Sequence, residues 1–224
     1  DWIQEKVKFP CLISPKLDGV ASFNRHGKCV GRSLRAHDNS HTVQKFSIPE
    51  LHGFCGEKVL GTDPTLADLC RVSSGALRRI EGEPDIHWWL FDYCTEETKD
   101  IPYISRMVVL NSSLKRISHL EISKKIHVIE GKLVHNMEEL LEEEDMYLNL
   151  GYEGAIIRDP YATYKYGRCG KTFMGAWRIK RFIDGEFLIE EIIEGKHNAN
   201  EAKVNLLGRT ERSTNAENMQ PNGM

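Results

Sequence analysis

The sequence lacks the features of membrane, secreted and zinc-binding proteins. No apolar run approaches the roughly 18 residues that span a bilayer, and no secretory apolar segment opens the chain. The six cysteines are scattered without a Cys-x-x-Cys pair, so they match neither a zinc site nor a disulfide framework. We therefore expect no membrane contact and a reduced compartment, the cytoplasm.

The sequence also lacks an excess of charge of either sign. Its 33 acidic and 30 basic residues leave a net charge of −3, so bulk charge would not hold nucleic acid. A chain of this composition that binds nucleic acid must gather its basic groups on one surface. The basic residues do cluster along the chain, as Arg25, Lys28, Arg32 and Arg35; Lys165, Arg168 and Lys171; and Arg178, Lys180 and Arg181.

A length of 224 residues allows one large domain or one and a half domains. The chain begins at Asp1 without an initiator methionine and ends on turn residues that precede Met224. We expect it to be a fragment of a longer protein.

The most informative stretch is Lys16-Leu17-Asp18-Gly19, which lies between two short apolar segments. One interpretation is a hairpin turn, because Asp-Gly is a favoured turn pair between strands. The alternative is a loop that presents Lys16 as a nucleophile, and the motifs downstream favour it. In chain order these motifs are Gly31-Arg32-Ser33, Gly56-Glu57, Leu90-Phe91-Asp92, residues 153–158, and Trp177-Arg178-Ile179-Lys180.

This ordered set resembles the motif series of covalent nucleotidyltransferases, the superfamily of ATP-dependent DNA ligases, RNA ligases and capping enzymes. Residues 153–158, followed by Asp159-Pro160, a Lys/Arg/Gly-rich loop and Trp-Arg-x-Lys, most resemble the compact ATP-dependent DNA ligases of bacteriophages. The resemblance extends from about Cys11 to beyond Lys180. Each motif alone is weak, but the motifs together and in order form a strong signal.

Alternating strand-like and helix-like segments predict an α+β domain. Helices are predicted to start at Asp63-Pro64, an Asp N-cap followed by proline, and to cover residues 106–120 and 137–150. The resemblance implies a nucleotidyltransferase (ATP-grasp-like adenylation) domain of antiparallel sheets with flanking helices over residues 1–182. Residues 183–224 are expected to form the N-terminal part of a truncated OB-fold β-barrel domain, in which 186–193 is a strand.

Lys16, Arg178 and Lys180 form the predicted catalytic set. Nucleotidyl transfer needs an unprotonated amine, whereas a free lysine has a pKa of about 10.4 and is mostly charged at neutral pH. Neighbouring cations lower a lysine pKa, and Arg178 and Lys180 face one side of a predicted strand that could lie beside Lys16. They could also hold the α-phosphate and stabilise the charge of transfer. The alternative is a solvated basic edge strand.

Glu57 and Glu153 are the candidate metal ligands. Mg²⁺ (or Mn²⁺) prefers oxygen ligands, and one or two carboxylates plus substrate phosphates suffice for such a site. Glu153 falls at a predicted loop-to-strand junction after Gly151. Glu57 could instead belong to a surface turn, and the resemblance assigns it to ribose contact or metal binding.

The resemblance also implies the nucleotide contacts. Phe91 would stack on the adenine, Arg32 would contact ribose or phosphate, and Arg158 stands where many relatives carry lysine. Two positions depart from the family pattern, because Ala21 replaces a common arginine and Ser14 replaces a glutamate that reads the adenine amino group. The full set expected to bind ATP or AMP is Ser14, Pro15, Lys16, Arg32, Glu57, Phe91, Arg158, Arg178 and Lys180.

The resemblance thus implies an ATP-dependent DNA ligase that acts through lysyl-AMP and an adenylated 5′-phosphate. Its cofactors would be ATP and Mg²⁺, and its partner would be nicked duplex DNA. We expect a monomer in the cytoplasm, or in the host cytoplasm if the protein is viral. The alternatives are an ATP-dependent RNA ligase, a GTP-dependent capping enzyme, and a non-catalytic nucleic-acid-binding module that retains the fold.

Overall fold

The computed structural model describes residues 6–167, 175–181, 185–204, 210–213 and 215–221. The chain divides into two compact units, Asp1–Arg181 and Phe182–Met224. Predictions that rest on Arg168, Cys169, Lys171, Phe182 or Asp184 lie outside the described residues.

The described part of the first unit contains two β-sheets. Its strands are, in chain order, β1 (Cys11–Lys16), β2 (Val20–Arg25), β3 (Lys28–Gly31), β4 (Phe54–Leu60), β5 (Ile86–Tyr93), β6 (Ile126–Val128), β7 (Lys132–Val134), β8 (Gly154–Arg158) and β9 (Ala176–Ile179). The larger sheet has the order β3-β2-β4-β5-β6, and the smaller sheet has the order β7-β1-β8-β9. The β5–β6 pair is parallel and the other pairs are antiparallel.

Helices flank both sheets. They are α1 (Ser40–Phe46), α2 (Leu69–Arg78), α3 (Tyr103–Arg116) and α4 (Met137–Asn149). Asn39 and Asn136 cap the N-termini of α1 and α4 by accepting hydrogen bonds from backbone N–H groups of the first turn. Helices α2 and α3 pack on the larger sheet and α4 packs on the smaller sheet. The predicted α+β architecture of antiparallel sheets with flanking helices is therefore confirmed.

Each sheet carries its own apolar core. The core of the larger sheet is built around Trp88 and Phe54, which are fully buried beneath Leu110 of α3. The core of the smaller sheet is built around Ile13 and contacts α4 through Leu140. Burial of these side chains is the main favourable contribution to folding.

The predicted helix start at Asp63-Pro64 is wrong, since α2 begins at Leu69. The Asp63 carboxylate accepts hydrogen bonds from the backbone N–H of Thr65 at 2.9 Å and from its hydroxyl at 2.6 Å. This local turn competes with helix formation. The helices predicted over 106–120 and 137–150 are present, although α3 begins earlier, at Tyr103.

The second unit contains two short antiparallel pairs among its described residues. The strands are β10 (Lys196–Asn198), β11 (Ala202–Val204), β12 (Thr210–Arg212) and β13 (Met219–Pro221), paired as β10–β13 and β11–β12. The strand predicted over 186–193 is wrong, because residues 185–195 form no helix or strand. Phe187 and Leu188 are each 91% exposed, so the alternating apolar side chains meet neither a partner strand nor a core.

Gly154 is required by the close approach of β8 to β9. Its φ is 151°, and a Cβ at this position would lie 2.3 Å from the carbonyl oxygen of Ile179. Gly154→Ala is therefore expected to lower the free energy of unfolding by about 2 kcal/mol or more, as measured by urea denaturation.

Gly75→Ala is the matched control for this substitution. Gly75 lies inside α2, and a Cβ there meets no atom within 4 Å. Alanine at this helical position should be neutral or stabilising by up to about 1 kcal/mol. Equal destabilisation by the two substitutions would contradict the role given to Gly154.

Candidate functional site

Lys16 lies where the chain crosses from one sheet to the other. It is the last residue of β1, which pairs with β7 and β8, whereas β2 begins at Val20 and pairs with β3 and β4. The hairpin interpretation of this stretch is therefore wrong. A Cβ on Gly19 would lie 2.9 Å from the carbonyl oxygen of Lys58, so glycine allows the crossing segment to pass tightly over β4.

Glu153 joins the two lysines of the predicted catalytic set. Its Oε2 atom forms an ion pair with Lys16, and its Oε1 atom forms one with Lys180. Its backbone N–H donates to the carbonyl oxygen of Lys16 at 3.2 Å, next to the β1–β8 pairing. Partial burial acts to raise the pKa of Glu153, but the hydrogen bonds from both lysines outweigh it and lower that pKa. A charged carboxylate thus holds both amines.

The strand that carries Arg178 is not the direct neighbour of the lysine strand. β8 lies between β9 and β1, and Arg178 pairs with Ile156 of β8 with its side chain exposed. Lys180 follows the end of β9, where a hydrogen bond to Glu153 raises its pKa. Lys180, at the end of β9, is therefore linked to Lys16 by the Glu153 carboxylate that both lysines contact. In the part of the chain that the structure describes, the predicted direct pairing of β9 with β1 does not occur.

Glu57 lies on the central strand β4, so its alternative placement in a surface turn is wrong. Its Oε2 atom is buried and has no hydrogen-bond partner within the described residues. Burial raises the pKa of Glu57 to about 7, while the charges of Lys16 and Arg32 act to lower it. A buried carboxylate oxygen without a partner is costly unless a ligand satisfies it.

Arg32 and Asp18 complete the charged surroundings of Lys16. Arg32 follows β3, is exposed, and interacts electrostatically with Glu57. Asp18 lies in the crossing segment, where burial and then the charge of Glu153 raise its pKa. The sequence prediction gave Asp18 no role, although the Lys-x-Asp-Gly spacing already placed its carboxylate two residues from the nucleophile.

The raised pKa of Glu57 predicts a pH-dependent stability. The folded state holds the Glu57 proton up to about pH 7, whereas an unfolded glutamate loses it near pH 4.5. Glu57 therefore lowers the free energy of unfolding as pH rises from about 4.5 to 7, and the loss persists at higher pH. From about pH 4 to about pH 8, the difference between the free energies of unfolding of Glu57→Gln and of the wild type should change by about 3 kcal/mol in favour of the variant.

Urea denaturation of both proteins across this pH range measures the shift. Glu138→Gln is the control, because Glu138 lies in the first turn of α4 with its side chain exposed. The control variant should follow the wild-type pH profile. A Glu57→Gln profile that runs parallel to the wild type would contradict the burial of this charge.

Phe91 and Arg158 form a second part of the candidate site. The guanidinium carbon of Arg158 lies 5.3 Å from the centroid of the Phe91 ring and 4.9 Å from that of Tyr103. Such distances allow cation–π attraction. Phe91 also packs, with Leu17, on the apolar cluster beneath the crossing segment. This cluster connects the Phe91 ring to the segment that carries Lys16.

A buried ion pair that the sequence prediction missed supports Arg158. Arg106 donates from Nε to Asp92 Oδ1 at 2.8 Å and from Nη2 to Oδ2 at 3.0 Å, and both side chains are 3% exposed. The Nη1 atom of Arg158 lies 3.6 Å from Asp92 Oδ2. In the sequence, Asp92 stands at the end of the motif Leu90-Phe91-Asp92. Arg106 is a single arginine in a predicted helix of mixed composition, which does not mark it as a partner of Asp92.

The remaining predicted residues lead into or flank the lysine. Ser14 and Pro15 are the β1 residues before Lys16 and pair with Ile156 and Ala155 of β8. Ala21 pairs with Glu57 across β2 and β4. Ala21 therefore lies directly beside the buried carboxylate.

No group of three or more His, Cys, Asp or Glu side chains in the described part of the chain could hold a metal ion. Glu57 and Glu153 offer carboxylate oxygens near Lys16, and the orphaned Oε2 of Glu57 suits a cation. These two groups fit Mg²⁺ where substrate phosphates and water supply the other ligands. Within the same residues, no helix is long and apolar enough to cross a membrane.

The fold is that of the nucleotidyltransferase domain of DNA ligases. The chain is similar to a Chlorella virus DNA ligase-adenylate, with a TM-score of 0.68 and 21% identity over 98% of this chain and 75% of that one. It is also similar to the ATP-dependent DNA ligase of bacteriophage T7 in complex with ATP, with a TM-score of 0.61 and 18% identity over 92% of this chain and 74% of that one.

Sequence comparison indicates the same class of protein. The chain is 27% identical over 112 residues to the DNA ligase of African swine fever virus (strain Badajoz 1971 Vero-adapted). A second isolate, Warthog/Namibia/Wart80/1980, gives the same identity over the same length. The match spans half of this chain and about a quarter of these relatives. No protein-family model matches the chain.

The predicted resemblance to DNA ligases is therefore confirmed, by viral DNA ligases of similar sequence and by a fold shared with viral and bacteriophage DNA ligases.

Proposed function

We propose that this chain is the adenylation part of an ATP-dependent DNA ligase that seals nicks in duplex DNA through lysyl-AMP. The observation that carries the proposal is the position of Lys16 at the crossing of the two sheets, in contact with Glu153, which also binds Lys180. The named DNA ligases of similar sequence and fold support the same activity.

The reaction would proceed in three steps. The Lys16 amine attacks the α-phosphate of ATP, and pyrophosphate leaves. The AMP then passes to the 5′-phosphate at a nick, and the 3′-hydroxyl finally displaces AMP to close the backbone. Positioning and charge neutralisation contribute most of the catalysis in such transfers.

Lys180 and Arg178 would neutralise phosphate charge in the first step. In the absence of nucleotide, Lys180 and Lys16 share the single carboxylate of Glu153. The α-phosphate offers Lys180 a second anionic partner, which loosens this shared ion pair and frees the Lys16 amine for attack. Arg178, which is exposed on β9, would contact the polyphosphate.

Glu57 and Glu153 are the residues that would hold Mg²⁺. The bound ion would supply further neutralisation of the triphosphate. Glu57 also suits a ribose hydroxyl, since its buried Oε2 atom lacks a donor in the described residues.

The adenosine would lie against Phe91. The ring of Phe91 offers a flat apolar surface next to Leu17. Arg158, beside Phe91, and Arg32, which interacts with Glu57, would add positive charge to the proposed nucleotide site. Ser14 and Pro15 would line the site from β1. Ser14 carries no carboxylate for the adenine amino group, so base recognition would depend more on backbone groups.

We further propose that the second unit begins an OB-fold domain, as in DNA ligases. Its short antiparallel pairs and the 98% coverage of this chain in the match to the Chlorella virus structure support this assignment. All of the site residues lie in the first unit, so one copy of the chain completes the site. A monomer acting in the cytoplasm, or host cytoplasm, in DNA replication, repair and recombination is the corresponding proposal.

Intact mass spectrometry after incubation with ATP and Mg²⁺ tests the proposed function. Covalent AMP should add about 329 Da with ATP and nothing with GTP. A gain with GTP instead would indicate a capping enzyme. Sealing of nicked DNA and nicked RNA duplexes then separates a DNA ligase from an RNA ligase. No adduct with either nucleotide would favour the non-catalytic binding module.

A further inference from the structure

A lysine is fully buried in the main core of the first unit. Lys58 of β4 has no exposed surface, and its Nζ atom lies 3.8 Å from the ring centroid of Trp88 and 4.4 Å from that of Phe46. No carboxylate pairs with it among the described residues. A buried ammonium normally needs such a partner.

The hydrogen-bond partner of this lysine is a cysteine. The Nζ atom of Lys58 donates to the Sγ atom of Cys29 at 3.2 Å. Cys29 is a free thiol, 1% exposed, on β3. Because β3 and β4 flank β2 on opposite sides, the two side chains meet across that strand on the core face of the sheet.

We propose that Lys58 and Cys29 form a covalent, redox-reversible nitrogen–oxygen–sulfur bridge. Dioxygen is the oxidant in the balanced reaction of one amine, one thiol and one O₂. One N–H bond and the S–H bond break, and an N–O bond and an O–S bond form. One oxygen atom becomes the bridge, and the other leaves with the two hydrogens as water. A thiol reductant reverses the bridge: about four thiol equivalents return the amine and the thiol, release the bridging oxygen as water, and leave as two disulfides.

The geometry suits this reaction in two ways. Nitrogen and sulfur lie at 3.2 Å, so one oxygen atom can be inserted between them with little movement of either strand. The surrounding Trp88 and Phe46 rings keep bulk water away from the pair.

Cys55 is a buried cysteine without this arrangement. The residue is 3% exposed, and the neighbours of its Sγ atom are the carbonyl oxygen of Gly53 at 3.4 Å and the hydroxyl of Tyr164 at 3.8 Å. Cys55 therefore has the burial of Cys29 without the amine. It provides the matched control for the experiment.

The bridge would fix the strands that carry two site residues. Glu57 precedes Lys58 on β4, and Arg32 follows the strand of Cys29. Oxidation would therefore hold β3 and β4 together beside the candidate site. The proposal concerns oxidation within the core, so its test does not depend on the proposed ligase activity.

High-resolution intact mass of the wild-type protein, kept in air and then treated with dithiothreitol, tests the bridge. Air should add about 14 Da, the mass of one oxygen minus two hydrogens, and the reductant should remove it. Tryptic digestion of the oxidised protein should link residues 29–32 to residues 46–71, in which cleavage at Lys58 is blocked. The thermal unfolding midpoint should rise on oxidation, because the bridge closes a loop.

Cys29→Ser and Lys58→Gln should each lose the 14 Da gain and the linked peptide, whereas Cys55→Ser should keep both. If a variant does not fold, the mass change and the linked peptide of the wild-type protein are sufficient to show whether the bridge forms. A gain of about 16 or 32 Da on Cys29 without the linked peptide would show simple thiol oxidation and overturn the proposal. An unchanged mass in air would also overturn it.

Discussion

Lys16→Ala is expected to reduce formation of the covalent AMP adduct by at least about 10³-fold, to below detection by intact mass. Alanine removes the Lys16 amine, which lies at the end of β1 and contacts Glu153. The Lys16 side chain is about one-fifth exposed and contributes little to the core, so the variant should fold. Lys16→Arg should also fail, since a guanidinium stays protonated and is a poor nucleophile.

Lys124→Ala is the control for this loss. Lys124 is an exposed lysine that pairs with Glu121 on the surface, and its removal should leave adduct formation unchanged. Binding of ATP to Lys16→Ala, followed by isothermal calorimetry, should persist with reduced affinity because the phosphate and adenine contacts remain. Retained adduct formation by Lys16→Ala would remove the basis of the proposed function.

Arg106→Leu is expected to lower the free energy of unfolding by about 3–5 kcal/mol, because the buried Asp92 carboxylate loses its two hydrogen bonds from Arg106 and is left with the more distant Arg158, at 3.6 Å, as its cationic partner. Arg106 gives Asp92 two hydrogen bonds and donates from Nη1 to the carbonyl oxygens of Ile101 at 2.8 Å and Ala162 at 3.0 Å. Replacement by leucine fills the volume but leaves these acceptors unsatisfied. Urea denaturation measures the loss.

Two comparisons isolate the buried charge in this prediction. The double variant Asp92→Leu with Arg106→Leu should be more stable than Arg106→Leu alone, because it removes the buried carboxylate that has lost its hydrogen bonds from Arg106. Arg71→Leu breaks the exposed pair with Asp68, whose side chains are 74% and 66% exposed, and should change stability by less than about 1 kcal/mol. Similar losses for Arg71→Leu and Arg106→Leu would contradict the buried-pair explanation.

The sequence predicted the parts of the structure that depend on local pattern and motif order. The helices of residues 106–120 and 137–150 followed from apolar periodicity, and the α+β class followed from alternating segments. The order of short motifs brought Lys16, Glu153 and Lys180 into one hypothesis, and the structure places all three in contact through one carboxylate.

The remaining features depend on long-range pairing, which local pattern does not encode. Asp18-Gly19 is typical of a hairpin turn, but the strands on either side of it belong to different sheets. The pairing of β1 with β8 and of β2 with β4 shows this. The Asp92–Arg106 pair joins a strand to a helix through side chains alone. The alternating segment 186–193 has strand periodicity, yet periodicity without a neighbouring strand leaves Phe187 exposed.

The crossing of the chain at Lys16 has a mechanical consequence. Three residues tie the end of β1 to the start of β2, and three residues also tie the end of β6 to the start of β7. The two sheets of the first unit are therefore joined by two short crossings, and Lys16 stands at one of them. Such short connections leave the sheets little freedom to turn against each other, so the Lys16 amine keeps a fixed place relative to both.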